Sequence, residues 1–252
     1  MTVTLPADVE EISRARFALY FCPNPGTALW HFGSTWLGRN IQEHTDQAEP
    51  RFEALNEILN TGECEGFALD AIVKLPRYYG FHATLKPPFY LKKSKTLDEL
   101  MAAVQNFASE SRTCVLPPLI ARSLGHFVAL VPETTSPRVD AFARNCVVYF
   151  DDFRALPSEA EVERRLKTQW TPRQQALLAQ WGYPFVMEEF RFHMTLTGKL
   201  PADVQAHLIH QLSEPVTELN QVPHVIDTLC LCYQPQEGAD FKVFARFQLN
   251  GS

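Results

Sequence analysis

The stretch Phe81-His82-Ala83-Thr84-Leu85 returns in the second half of the chain as Phe192-His193-Met194-Thr195-Leu196. Both copies follow the pattern Phe-His-x-Thr-Leu, and both lie among residues that favour β-strands. Successive side chains of a strand point to opposite faces, so the histidine and threonine of each copy share one face. The sequence therefore predicts two similar strands, each burying its apolar side chains and presenting one imidazole and one hydroxyl. We call 81–85 the first motif and 192–196 the second motif.

The elements around the two motifs follow a similar order, strand–helix–strand–helix and then largely the same again. Alternating aromatic residues predict a strand over 16–22, and Pro87-Pro88 predicts an edge or an end in the strand over 80–91. Apolar residues at helical spacing and a capping box, Thr96 with Glu99, predict a helix from Thr96 to about Ser111. Further helices are predicted at 27–38, 136–147, 158–167, 171–181 and 202–212. Two strands joined near 123–125 are predicted over 116–133, a further strand over 190–198, and a hairpin of 225–234 with 241–249. No low-complexity linker interrupts the chain. We therefore expect one α+β domain over 1–252, with two related lobes that face each other and one motif in each, at about 80–86 and 191–197.

Composition limits the class of protein. The 252 residues are 46% hydrophobic, which argues against disorder, and no apolar run is long enough to span a membrane. The net charge is −6, without a Lys/Arg-rich block, so a long nucleic acid is not the expected partner. No secretory signal is visible at the N-terminus, and five of the six cysteines sit in apolar stretches. These features predict a soluble cytoplasmic protein with reduced thiols.

Two imidazoles on facing strands suit acid–base chemistry at a phosphate ester. A neutral histidine can take a proton while a protonated one gives a proton, and both forms coexist near neutral pH. Threonine hydroxyls can hold phosphate oxygens. A lone histidine on a strand is more often structural, but two matching copies favour function. We therefore predict His82 and His193 as catalytic and Thr84 and Thr195 as phosphate-binding, with no metal and no cofactor, since neither motif carries a carboxylate.

Strand parity adds a weaker candidate. Lys86 follows the first motif on the predicted face of His82 and Thr84, so it is a candidate phosphate contact. A solvated lysine at the end of the strand explains the same position equally well.

The paired motifs resemble those of the 2H phosphoesterase superfamily, which includes cyclic nucleotide and RNA 2′,3′-cyclic phosphodiesterases. The segments YGFHATLK (79–86), WGYPFVMEEFRFHMTLTG (181–198) and RFALYFCP (16–23) are most similar to the branch often encoded beside phosphonate-degradation genes. This resemblance implies a bilobal α+β fold in which two antiparallel sheets line a central cleft and helices lie outside. It also implies that Tyr20, on the first strand, faces the cleft and contributes to phosphate binding.

The function expected from these features is a metal-independent phosphodiesterase that hydrolyses a small cyclic phosphate. The resemblance makes a ribose cyclic phosphate of phosphonate breakdown the first substrate to consider. An RNA or nucleoside 2′,3′-cyclic phosphodiesterase and a non-catalytic sensor of phosphate esters are the alternatives. The near symmetry of the motifs leaves open which histidine is base and which is acid, and the sequence leaves the oligomeric state open.

Overall fold

A computed structural model describes residues 15–42, 69–158, 161–163 and 168–251. Within these residues the main feature is a seven-stranded sheet in the order β4-β5-β6-β2-β1-β8-β9, and every strand pair in it is antiparallel. A second sheet pairs β3 with β7. The strands are β1 (Arg16–Phe21), β2 (Ala83–Tyr90), β3 (Cys114–Val115), β4 (Leu119–Leu124), β5 (Phe127–Pro132), β6 (Met194–Thr195), β7 (Val225–Ile226), β8 (Thr228–Gln234) and β9 (Lys242–Gln248).

Helices connect these strands, and their ends follow the capping signals in the sequence. In the described residues they are α1 (Ala28–Leu37), α2 (Leu69–Tyr79), α3 (Leu97–Glu110), α4 (Pro137–Tyr149), α5 (Pro172–Trp181) and α6 (Ala202–Leu219). Thr96 begins α3 with the predicted capping box, and Thr171 begins α5 with a second one. Thr27 caps α1, and Gly38 ends it in the left-handed conformation that glycine adopts most easily. Helix α6 continues past its predicted end, through Pro215.

The two faces of the large sheet have different surroundings. Phe17, Leu19 and Phe21 of β1 point into the main hydrophobic core, together with Ala83 and Leu85 of β2. Helices α3, α4 and α6 contact strands of this sheet. The opposite face carries a smaller cluster of Tyr20 with Phe241 and the thiols Cys22, Cys230 and Cys232. These three thiols are free and buried, as are Cys114 and Cys146, and Cys64 lies outside the described residues.

The α+β class is confirmed, whereas the predicted pair of facing sheets is not confirmed by the described residues. Both motifs belong to the same sheet, because β2 and β6 pair directly through Ala83 and Met194. Strand β6 is only two residues long, shorter than the predicted strand over 190–198. Beyond it the amides of Leu196 and Thr197 both donate to the carbonyl of Val128, so the regular ladder ends there.

No helix in the described parts of the chain combines the length and the apolar character needed to cross a membrane.

Candidate active site

The pairing of β2 with β6 brings the two motifs together. Ala83 lies opposite Met194 in an antiparallel register. Continuing this register by one residue in each direction places His82 opposite Thr195 and Thr84 opposite His193. Residues directly opposite in such a pair have Cβ atoms about 4.5–5.5 Å apart. Each histidine therefore has the threonine of the other motif as its cross-strand neighbour, and the four side chains form one group on the sheet face opposite the main core.

Both imidazoles are held in the same way by the backbone. His82 Nδ1 lies 2.8 Å from the carbonyl oxygen of Gly80, and His193 Nδ1 lies 2.7 Å from that of Arg191. A carbonyl oxygen only accepts hydrogen bonds, so each Nδ1 carries the proton and donates it. In the neutral ring this leaves Nε2 as an acceptor. For His82, Nε2 lies 3.1 Å from Thr84 Oγ1 and accepts from that hydroxyl.

Burial favours the neutral form of both rings. It lowers the pKa of His82 to about 4, an effect that the charges of His193 and Arg39 reinforce and that the bond to Gly80 opposes. Burial also lowers the pKa of His193, and the bond to Arg191 opposes the change. With no ligand bound, both Nε2 atoms therefore offer lone pairs near neutral pH.

Tyr20 lies beside the first motif, on β1, and lines the cleft described below. Its ring stacks on the imidazole of His82, with centroids 3.8 Å apart and planes 23° apart. The side chain is only 1% exposed. Tyr20 thus covers one face of His82, and ring contact rather than phosphate binding is the role that its position favours.

The side chain of Lys86 does not lie beside those of the other predicted site residues. Its Nζ donates to the carbonyl of Val147 at 3.1 Å and lies 3.4 Å from Asp151 Oδ1, and the side chain is 2% exposed. The reason is a β-bulge in β2: Tyr20 pairs with Thr84 but Leu19 pairs with Lys86, so Leu85 is an extra residue. The bulge turns Lys86 to the face of Leu19, away from His82. The structure therefore favours a structural ion pair over the predicted phosphate contact.

A cleft with two adjoining parts lies over the motifs. We call the first part the polar half; its volume is about 480 Å³ and its lining includes Arg16, Tyr20, Tyr79, His82, Thr84, Glu161, Trp170, Tyr183, Phe185 and Thr195. The second part, the apolar half, has a volume of about 460 Å³ and contains His193 with mostly apolar neighbours. Thr84, Pro87, Tyr183 and Phe185 line both parts, so the halves form one continuous cleft.

Several lining residues were not predicted from the sequence. Arg16 has the same strand parity as Tyr20, so the alternation of β1 could have identified it. Tyr183 and Phe185 lie between α5 and β6, in a segment whose position depends on tertiary packing and not on a local pattern.

The described residues contain no group of three or more His, Cys, Asp or Glu placed to hold a metal ion. The expectation that the residues of the two motifs hold no metal stays a prediction.

Two curated relatives resemble most of this chain. "Ribose 1,5-bisphosphate phosphokinase PhnN" from Janthinobacterium sp. (strain Marseille) is 34% identical over 248 residues, which are 96% of this chain and 52% of the relative. The protein of the same name from Laribacter hongkongensis (strain HLHK9) is 30% identical over 236 residues, 90% of this chain and 50% of the relative. The chain thus spans about half the length of the curated relatives that it matches.

These names overturn the predicted phosphodiesterase. Both relatives are named as phosphokinases, and a kinase transfers a phosphoryl group instead of hydrolysing a phosphodiester. The expected classes of hydrolase and metal-independent phosphodiesterase are therefore wrong, and so is the alternative of an RNA or nucleoside 2′,3′-cyclic phosphodiesterase.

A protein family also matches the chain, over residues 84–242. The matched region begins inside the first motif, includes the whole second motif and extends to the start of β9. On this evidence the chain belongs to the family described as "Protein of unknown function (DUF1045)".

Proposed function

We propose that this chain binds a phosphorylated ribose in the polar half of the cleft and belongs to an enzyme of phosphonate metabolism that transfers phosphoryl groups. The observation that carries the proposal is the β2–β6 register, which groups two imidazoles and two hydroxyls on one sheet face. The relatives support the choice of ligand, since they are named for ribose 1,5-bisphosphate, a ribose with two phosphate groups.

In this proposal Thr84 and Thr195 donate their hydroxyl hydrogens to phosphate oxygens. Thr84 is then released from His82 Nε2, which it contacts in the unliganded site. Arg16 lines the polar half and supplies a guanidinium, the group best suited to a phosphate. The volume of about 480 Å³ falls within the usual range for small-molecule sites.

His82 and His193 are the groups proposed to move protons. A neutral Nε2 can accept the proton of a ribose hydroxyl, and a protonated Nε2 can donate to a phosphate oxygen. The sequence contains no G-x-x-x-x-G-K-[ST] motif, the loop with which many kinases hold phosphates. Phosphate binding by this chain would therefore depend on the two motifs. Because the relatives are about twice as long, we propose for this chain only the binding of the sugar phosphate and the proton transfers at it.

The test is a calorimetric titration of the purified chain, first with ribose 1,5-bisphosphate and then, in a separate experiment, with ribose 5-phosphate. We expect saturable binding that weakens by about 5- to 150-fold in Thr195→Val, since a hydrogen bond to a charged group contributes about 1–3 kcal/mol. Thr113→Val is the matched control, because Thr113 lies outside the cleft beside the second sheet. Absence of binding, or equal binding by Thr195→Val and the wild type, would contradict the proposal.

A phosphoryl-transfer assay with a nucleoside triphosphate and Mg²⁺, on the same preparation, tests the proton-transfer roles. If turnover is observed, His82→Gln and His193→Gln should each lower kcat by about 10²–10⁴-fold. Retention of kcat by either variant would remove that histidine from the mechanism.

A further inference from the structure

Arg39 is a buried cation just after helix α1, and its side chain joins segments that are far apart in the chain. Only 4% of the residue is exposed. Its Nη1 donates to the carbonyl of Arg77 at 2.8 Å, and its Nη2 donates to the carbonyl of Phe241. Nε lies 3.5 Å from a carboxylate oxygen of Asp240, whose side chain is 40% exposed. Because a guanidinium holds its donors in a fixed planar fork, these bonds fix the end of α2 and the start of β9 relative to each other.

We propose that Arg39 is a positioning residue for His82. It fixes the backbone turn at Gly80, whose carbonyl holds the imidazole, and so keeps Nε2 as the ring nitrogen that is free to accept a proton. This inference rests on the proposed function only for the task of His82, which is to move protons.

The turn at Gly80 connects the guanidinium to the imidazole. The carbonyl of Arg77 accepts from Arg39 and also from the amide of Gly80, at 3.1 Å. Gly80 has a φ of +74°, in the left-handed region that favours glycine. Its own carbonyl accepts from Nδ1 of His82 at 2.8 Å. A continuous chain of hydrogen bonds therefore runs from the guanidinium to the ring, and a bond at Nδ1 selects the tautomer.

The guanidinium also fixes the aromatic side chains next to His82. The carbonyl of Phe241 accepts from Nη2, while the amide of Phe241 donates to the carbonyl of Tyr78 at 3.0 Å. The buried ring of Phe241 lies 5.9 Å from that of Tyr20, measured between centroids. Tyr20 is the residue that stacks on His82. Movement of Phe241 would therefore disturb the stack as well as the turn.

The second motif is held by local contacts instead. Nδ1 of His193 donates to the carbonyl of Arg191 at 2.7 Å. The side chain of Arg191 donates to carbonyls one and three residues earlier, at 2.6 and 2.8 Å. The carbonyls that accept from Arg39 are 38 and 202 residues away in the chain. A change at Arg39 should therefore affect His82 and leave His193 as an internal reference.

Nitrogen-15 NMR of the histidine rings, at a pH where both are neutral and without ligand, tests this proposal. The signals are assigned by their loss in His82→Gln and in His193→Gln. In the wild type both rings should carry the proton on Nδ1. In Arg39→Lys and in Arg39→Gln the two nitrogen shifts of His82 should move toward each other, as the proton exchanges between Nδ1 and Nε2, while those of His193 stay unchanged.

The choice of variants separates geometry from charge. Lysine keeps the positive charge, which together with burial lowers the pKa of His82, but it lacks the planar fork. Glutamine removes the charge as well. Asp240→Asn is the matched control, because it alters the partner of Nε and leaves both Nη bonds in place. We expect the His82 ring of this control to keep its proton on Nδ1.

The positioning role is refuted if His82 keeps its proton on Nδ1 in either Arg39 variant. An equal change at His193, or loss of the resolved spectrum, also refutes it, since Arg39 would then support the fold as a whole. An equal change in Asp240→Asn would assign the effect to the ion pair and not to the fork. If the wild type binds neither ribose 1,5-bisphosphate nor ribose 5-phosphate, the proposed function fails, while the NMR result still decides the role of Arg39.

Discussion

Tyr20 and His82 form a face-to-face stack, with ring centroids 3.8 Å apart, at the centre of the candidate site. The two residues come from neighbouring strands, where Tyr20 pairs with Thr84. The tyrosine ring excludes water from one face of the imidazole. Since burial is the main cause of the low pKa of His82, the stack helps to keep this histidine neutral.

Removal of the tyrosine ring should therefore raise the pKa of His82. In Tyr20→Ala, water reaches the imidazole and we expect the pKa to move from about 4 toward its ordinary value of about 6.5. Tyr20→Phe is the matched control, because it keeps the stacked ring and should leave the pKa low. Titration of the histidine ring protons by NMR measures both variants. An unchanged pKa in Tyr20→Ala would show that the stack does not set it.

Ligand binding should be coupled to proton uptake. A phosphate near the imidazoles favours their charged forms, so it raises both histidine pKa values above those of the free site. At a pH between the histidine pKa values of the free protein and those of the complex, the protein takes up protons when the ligand binds. The affinity for the ligand therefore increases as the pH falls through this range. Calorimetry of ribose 5-phosphate binding in buffers of different ionisation enthalpy measures the number of protons. His82→Gln and His193→Gln should each reduce it, and an unchanged proton count in both variants would contradict the coupling.

Lys86→Met should leave ligand binding unchanged and alter the pH dependence of stability. Burial lowers the pKa of Lys86 to about 8, below the value of about 10.5 expected in the unfolded chain. At this group the native state therefore binds fewer protons than the unfolded state between these values, so the contribution of Lys86 to the free energy of unfolding rises with pH there. Methionine carries no charge to bury. The difference in the free energy of unfolding between Lys86→Met and the wild type should therefore favour the variant most below pH 8.

Urea unfolding of Lys86→Met at pH 7 and pH 10 measures this difference. Asp151 keeps its ion pair with Arg154 in the variant, so the loss of Lys86 does not leave a carboxylate without a partner. Lys92→Met, at an exposed ion pair with Asp152, is the control and should change the free energy of unfolding by less than about 0.5 kcal/mol. If Lys86→Met binds ribose 5-phosphate more weakly than the wild type, the result would support the phosphate contact that strand parity predicted for Lys86.

Gly33→Ala should disturb the first motif from outside the cleft. A Cβ at Gly33 would lie 1.8 Å from Cδ1 of Phe81, the residue that precedes His82. The ring of Phe81 must therefore move, and we expect a loss of stability of about 1–3 kcal/mol together with weaker ligand binding. His31→Ala, at an exposed position of the same helix, is the control. Wild-type stability and binding in Gly33→Ala would show that the contact can relax freely.

The local features of this fold could be predicted from the sequence. The capping box at Thr96 and the helix starts at Thr27 and Thr171 depend on neighbouring residues, and the structure contains them where the pattern places them. The same is true of the strand that holds the first motif. Short-range periodicity carries enough information for such elements.

The features that could not be predicted depend on partners far away in the chain. The pairing of Ala83 with Met194 joins the two halves in one sheet, and no local pattern specifies it. The bulge at Leu85 appears only in the register between β1 and β2, and it reverses the parity argument for Lys86. Tyr183 and Phe185 are placed in the cleft by tertiary packing, so the apolar half of the cleft could not be predicted either.

The single sheet also determines how a ligand can enter. Because β2 and β6 are hydrogen-bonded to each other, the two motifs cannot separate like the jaws of a hinge without breaking backbone hydrogen bonds. Among the described residues that line both parts of the cleft, Tyr183 and Phe185 are exposed rings, and rotation of these side chains would be enough to adjust the entrance to a ligand. Such rotations take picoseconds to nanoseconds, far less than domain closure, so the association rate should be set by diffusion and orientation and not by a slow opening step.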